Sequence, residues 1–319
     1  MKRRALLLGT LAAPALARAQ PAVREVGFVH PGAGGPANTR LHAFASGLQS
    51  QGFGEGRASI VARWAENDPA RLANSIDELV QRKMSVILLV GRPATLLGRQ
   101  ATQTIPLVAL DLESDPVQSG FIQSLSRPGG NLTGLYFDFP EFSGKLLQLL
   151  GEAVPKLKRL AVLWDPGSGT VPLESLKAAA AERGVTVTVT PVAKPDDIEF
   201  AVKLAIEVQE DAAIALSSPV FGTEPKRLAT IVRTVGLPLI SQFPEYAQAG
   251  GLMAYGISIV DLFGQGGEVV GKVLAGANPA ELPVERPSRF RLVVNAGTAR
   301  AMGLTLPDVV LARADEVVE

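Results

Sequence analysis

The feature that most constrains this chain is that it spells one pattern twice. Val26-Gly-Phe-Val-His-Pro-Gly32 is echoed by Ala161-Val-Leu-Trp-Asp-Pro-Gly167. Leu89-Val-Gly-Arg-Pro93 returns as Leu216-Ser-Ser-Pro219, and Ile105-Pro-Leu-Val108 as Leu237-Pro-Leu-Ile240, in the same order. Echoes in register predict two similar lobes. Within the first half, apolar runs at Val26 to His30, Ser59 to Trp64, Val86 to Val90 and Leu107 to Leu110 alternate with helical spacing. Leu41, Phe44 and Leu48 mark one helix over Asn38 to Gln51, and Leu72, Ile76, Leu79 and Val80 another that starts at Pro69. Strands separated by helices predict a parallel sheet covered on both faces. In the second half Ser175 to Arg183, Asp196 to Gln209 and Lys226 to Val235 read as helices, and Val185 to Val189 as a strand.

Arg127-Pro-Gly-Gly-Asn-Leu-Thr-Gly-Leu-Tyr136 leaves the first half through turn formers and ends apolar; Ala249-Gly-Gly-Leu-Met-Ala-Tyr-Gly256 does the same after the second. The chain is therefore expected to cross between lobes more than once. Ser258 to Leu274 then reads as a helix, and Leu282 to Pro287 as extended because of its prolines. The expected class is α/β: two Rossmann-like lobes with parallel sheets joined by a multi-crossover hinge. Residues 22–137 plus 253–283 would form the N-terminal lobe, and residues 138–252 plus 284–319 the C-terminal lobe. Sheets of this kind take ligands in the cleft beyond their strand ends.

Composition narrows the partner. Thirty-one basic residues balance thirty-one acidic ones, which leaves no broad field for nucleic acid or an anionic membrane. There is no cysteine, so no disulfide, thiolate nucleophile or cysteine-held metal, and the only histidines are His30 and His42. Neither histidine has a catalytic partner in sequence, and Ser168 lacks the spacing of a nucleophile elbow. No catalytic, metal or cofactor residues are assigned, and the chain reads as a binder of a small molecule rather than an enzyme. MKRRALLLGTLAAPALARAQ has a charged head, an apolar core too short to span a bilayer, and a small-x-small site at Ala17-Arg18-Ala19. It reads as a signal peptide, residues 1–19, for Sec or twin-arginine export to the periplasm; no later stretch is long and apolar enough to span a membrane.

Candidate ligand residues follow from the strand ends. After Val86 to Val90, Gly91-Arg-Pro-Ala94 opens a helix whose free N–H groups attract an anion. Pro93 suits a first helical position, Ala94 follows it, and Arg92 offers a guanidinium fork for a carboxylate or an ion pair to Asp111. Asp111, at the end of its strand, suits an ammonium group, whereas Asp115 before Pro116 reads as a turn cap. Gly32 and Ala33 sit in a glycine-rich turn that lacks the pattern of a nucleotide loop. Asp165, Ser217 and Ser218 would form the opposing jaw. Tyr136 and Tyr255, at the two crossings, suit stacking on a flat solute. Trp64 and Trp164 read as core residues.

Seven stretches carry a resemblance across nearly the whole mature chain. They are Arg63-Trp-Ala-Glu-Asn-Asp-Pro69, Gly91-Arg-Pro-Ala94, Asp115-Pro116, Arg127-Pro-Gly-Gly-Asn-Leu-Thr-Gly134, Ala161-Val-Leu-Trp-Asp-Pro166, Gly250-Gly-Leu-Met-Ala-Tyr-Gly256 and Leu311-Ala-Arg-Ala-Asp-Glu316. In these the sequence resembles the ABC-transporter substrate-binding proteins that include the tryptophan/tyrosine type, whose fold is the type I periplasmic binding fold. Two departures put charge near the expected cleft: Arg92 after the lip glycine, and Leu112-Glu-Ser-Asp-Pro116 where a Val-Gly-Asp-Pro-like stretch is expected. The resemblance implies an exported solute receptor that delivers a small molecule to an ABC permease and its ATPase. A carboxylate-bearing solute fits the Arg92 lip, an amino acid, aromatic or otherwise, among them. A periplasmic ligand sensor of the same fold is the alternative.

Overall fold

The computed structural model describes residues 22–35, 38–136, 139–287 and 289–319, so the signal peptide reading lies outside the described residues. The first lobe holds β1 (Arg24–His30), β2 (Ala58–Trp64), β3 (Val86–Val90), β4 (Leu107–Leu110) and β5 (Leu132–Leu135). They form a five-stranded parallel sheet in the order β2-β1-β3-β4-β5. Strand β3 is apolar at every position because both of its faces are covered. Val86, Leu88 and Val90 face one core, and Ile87 and Leu89 face another, as the two-residue period requires. Between the strands run α1 (Thr39–Ser50), α2 (Pro69–Gln81) and α3 (Gly91–Ala101). Asn38 and Asp68 cap the first two, Asn38 accepting from Arg40 N–H and Asp68 from the N–H groups of Ala70 and Arg71.

The second lobe holds β6 (Arg159–Trp164), β7 (Thr186–Pro191), β8 (Ala212–Ala215), β9 (Leu239–Ser241), β10 (Met253–Gly256), β11 (Arg291–Asn295) and β12 (Glu316–Val318). Its sheet runs β12-β11-β10-β9-β8-β6-β7, antiparallel only between β10 and β11. Five of these strands, β7-β6-β8-β9-β10, repeat the order of the first sheet, which is the doubled pattern of the sequence in three dimensions. Helices α4 (Phe139–Ala153), α5 (Val171–Glu182), α6 (Asp197–Glu207), α7 (Pro219–Thr223), α8 (Pro225–Val235) and α9 (Pro244–Gln248) connect them. After β10 come α10 (Ile259–Leu274), α11 (Ala296–Ala301) and α12 (Asp308–Arg313).

The lobe boundaries expected from sequence need two corrections, at residues 253–256 and at 284–285. The sequence pattern places Met253–Gly256 in the first lobe, but it is β10, paired with β9 and β11 in the second sheet. A four-residue apolar run between glycines looks the same whichever sheet it joins. Only the following helix crosses: α10 packs on α1 so closely that a Cβ on Gly47 would lie 2.0 Å from the Gly264 carbonyl oxygen. The chain then stays with the first lobe through residue 285, where the Glu285 N–H donates to Gly134 O and Tyr136 N–H to Glu285 O. It re-enters the second lobe at β11. Three crossings thus join the lobes.

Candidate functional site

The carboxyl ends of both sheets face each other across the cleft. On the first lobe, β1 ends at His30, whose Nδ1 accepts from Gly32 N–H at 2.9 Å. β3 ends at Val90, and Gly91 turns into α3 with φ +76°, a conformation glycine adopts without strain. β4 ends in the loop Asp111 to Pro116. Asp111 Oδ1 accepts from the N–H groups of Glu113 and Ser114 at 3.2 and 3.0 Å, folding that loop back on itself. The fold leaves Glu113 pointing at the other lobe, although it is only 4% exposed.

On the second lobe, Asp165 Oδ1 accepts from Gly167 N–H at 2.8 Å, and Trp164 Nε1 donates to Gly169 O at 2.8 Å, which shapes a short 3-10 turn over Pro166–Ser168. Ser218 caps α7 by accepting from Val220 N–H. Hydrogen bonds tie the lobes together across the cleft: Ser217 Oγ donates to Glu113 Oε1 at 2.8 Å, Arg40 Nη2 donates to Gly222 O, and Ile259 N–H, where α10 starts, donates to Glu245 Oε1 at 2.6 Å. Around them the walls touch. A Cβ on Gly91 would meet Pro219 Cγ at 3.0 Å, and one on Gly32 would meet Thr223 Cγ2 at 3.0 Å. The protein is therefore in a closed arrangement. Between the walls lies a small hollow of about 30 Å³. His30, Arg40 and Glu113 are its charged or titratable groups, and Val90, Leu110, Phe243, Ile259 and Phe263 supply much of its apolar wall.

Burial sets the electrostatics. It pushes the His30 imidazolium down to about 3, with the Arg40 charge adding to the effect. It lowers Arg40, which the Glu245 carboxylate partly offsets, and raises Glu245. Burial first, and then the Asp111 charge, raise Glu113 well above the ordinary carboxylate range, and Asp111 and Asp165 are also raised by burial. Asp111 and Glu113 are both buried, so the charge of one opposes ionisation of the other.

The residues proposed from sequence divide into groups. Gly32, Gly91, Arg92, Pro93, Asp165, Ser217 and Ser218 all lie on the facing walls. Arg92 lies against Gly169 of the facing turn, and the alternative ion pair to Asp111 is not formed: among the described residues Arg92 has no acidic partner, and Asp111 caps its own loop. Helix α3 starts at Gly91, so Pro93 is its third residue rather than its first. Ala94 is fully buried in the core of the first lobe, and Ala33 is exposed on the loop after β1. Tyr136 and Tyr255 do sit near crossings, but they line a separate hollow of about 580 Å³. There the Tyr136 hydroxyl accepts from Arg286 Nε at 3.0 Å, and Tyr255 stacks on Phe142. Asp115 caps a turn, accepting from the N–H groups of Val117 and Gln118. Sequence reasoning did not select His30, Arg40 or Phe243. Glu113 was visible only as a charge where none was expected.

Comparison with known proteins agrees with this architecture. The family model described as ABC transporter substrate binding protein matches residues 34–318. The chain belongs to that family of solute-binding proteins. Among curated proteins, a "Tyrosine-binding protein" of Clostridioides difficile (strain R20291) is 23% identical over 270 residues, 82% of this chain and 75% of that one. A solved conserved domain protein of Vibrio cholerae superposes with a TM-score of 0.84 at 24% identity, covering 92% of this chain and 99% of the other. An ABC domain from Streptococcus pneumonia, solved in complex with L-Trp, gives 0.82 at 23% identity over 93% of this chain and 100% of that one. The fold is that of the type I periplasmic binding proteins. No helix among the described residues is long and apolar enough to cross a membrane.

Proposed function

We propose that this protein is the periplasmic solute receptor of an ABC uptake transporter, and that it closes its two lobes on an amino acid or a closely similar small carboxylate. Cross-lobe bonding around a hollow of mixed character carries this reading: Ser217 to Glu113 and Arg40 to Gly222 link walls that offer both charge and apolar surface. Arg40 and the open helix end at Gly91, both at the hollow, suit a carboxylate, and Arg92 follows Gly91 and lies against Gly169 of the facing turn. The apolar wall suits a hydrocarbon or aromatic side chain. The named ligands of the relatives, tyrosine and L-Trp, are amino acids of that shape. The leader-like first nineteen residues support export, and family membership supports delivery to a permease and ATPase.

A melting scan of the mature chain across a panel of amino acids, organic acids and sugars tests this. A solute at 100 times its Kd adds about 2.7 kcal/mol to stability and raises the melting point by several degrees. Carboxylate-bearing amino acids are expected to give the largest shifts. A panel in which only uncharged sugars shift the midpoint, or in which nothing does, contradicts the reading.

A further inference from the structure

Glu113 sits in the cleft as a buried acid without a cation. Its Oε1 is taken by Ser217 of the opposite lobe, whereas Oε2 is buried, meets no hydrogen-bond donor, and borders the hollow near Gly91. The charged groups that bear on it are both acidic: Asp111 on its own loop and Asp165 from the turn after β6. His30, from the end of β1, is neutral, with Nδ1 occupied by Gly32 N–H. Arg40, from α1, is turned to the Gly222 carbonyl and acts on Glu245 of α9. Among the described residues no three acidic or histidine side chains are grouped to hold a metal ion.

Resting on the receptor reading above, we propose that Glu113, backed by Asp111, receives a protonated amine of the bound solute, so that the cleft selects molecules carrying a cationic nitrogen. An ammonium group brings N–H donors to Oε2 and positive charge to a site whose charged neighbours repel. Without it, closure leaves Glu113 holding a proton, as its upward shift by burial and by Asp111 indicates. Opposite pH dependences follow. An amine needs ionised Glu113, so its affinity falls as pH falls. A solute without the nitrogen closes the cleft over protonated Glu113, so its affinity rises as pH falls.

The test is calorimetric titration of the mature protein with the amino acid that gives the largest melting shift, and with its deaminated acid, which keeps the carboxylate and side chain. At about pH 8 the amino acid is expected to bind about 10- to 100-fold more tightly than the deaminated acid, and at about pH 5.5 this ratio shrinks. Glu113→Gln, close in shape and unable to ionise, is expected to bring the ratio near one at both pH values. Equal binding of the two compounds, a ratio indifferent to pH, or a ratio kept by Glu113→Gln overturns the amine assignment and leaves the receptor reading standing. Failure of every carboxylate to bind overturns both.

Discussion

His30 shows how far the cleft departs from ordinary side-chain chemistry. Folded His30 takes up no proton until about pH 3, whereas the unfolded side chain takes one up below its ordinary 6.5. Unfolding therefore binds a proton between those values, and stability falls as pH drops through the window, by about 1.4 kcal/mol per unit. Asparagine can accept from Gly32 N–H without titrating, so His30→Asn is expected to lose less stability than the wild type between about pH 6.5 and 4, measured by urea unfolding. The raised carboxyl of Glu113 works in the opposite direction and is common to both proteins. Arg40 and Arg92 provide a second contrast. Arg40→Ala is expected to weaken a carboxylate ligand by about 1.5–3 kcal/mol, and Arg92→Ala, against Gly169 and not lining the hollow, by less. Titration of both variants with one ligand checks the order. Arg40 was illegible in sequence because a polar residue in the first turn of a helix carries no mark of which way that turn faces. Glu113 was legible as an intrusion of charge, and Asp111 as a strand-end aspartate, whose turn-capping role looks the same in sequence as a ligand role.

Strand and helix signals were strongest where burial is two-sided. Val86–Val90 and Leu107–Leu110 emerged at their observed limits because every residue is apolar. The short helices α7, α9 and α12 carried no periodic signal over so few residues, and each depends on its surroundings. Proline opens α7 and α9, a position that dispenses with the missing N–H. The contact between α1 and α10 was equally hidden, since glycine in a helix reads as a weakness until another backbone lies against it. That contact anchors the second crossing to the first lobe. Replacing Gly47 with Ala puts a Cβ 2.0 Å from the Gly264 carbonyl oxygen, so the helices must separate. The cost is expected to be about 1–3 kcal/mol in urea unfolding, as for other overpacked contacts. A stability equal to wild type would mean that the helices yield freely.

At the scale of the whole molecule, the repeated sequence pattern and the repeated strand order are one fact. Two lobes built alike present the same strand ends to a common cleft, and three crossings let those ends approach or part as bodies. The echoes of Pro-Gly and Gly-Arg-Pro made the doubling legible. They did not reveal the strand β12 or the side of the crossing on which β10 lies, because strand pairing is a property of partners far away in sequence. Closure buries Glu113, Ser217 and His30 together, so the solute and the lobes should move as one equilibrium. The absence of cysteine allows a direct readout. Asn74→Cys on α2 and Ala178→Cys on α5 place exposed thiols on opposite lobes for a donor and acceptor dye pair. Energy transfer between them, titrated with the amino acid that raises the melting point, is predicted to rise to a plateau with the same midpoint as calorimetric binding. Transfer that stays constant while the solute binds would contradict capture by closure of the two lobes.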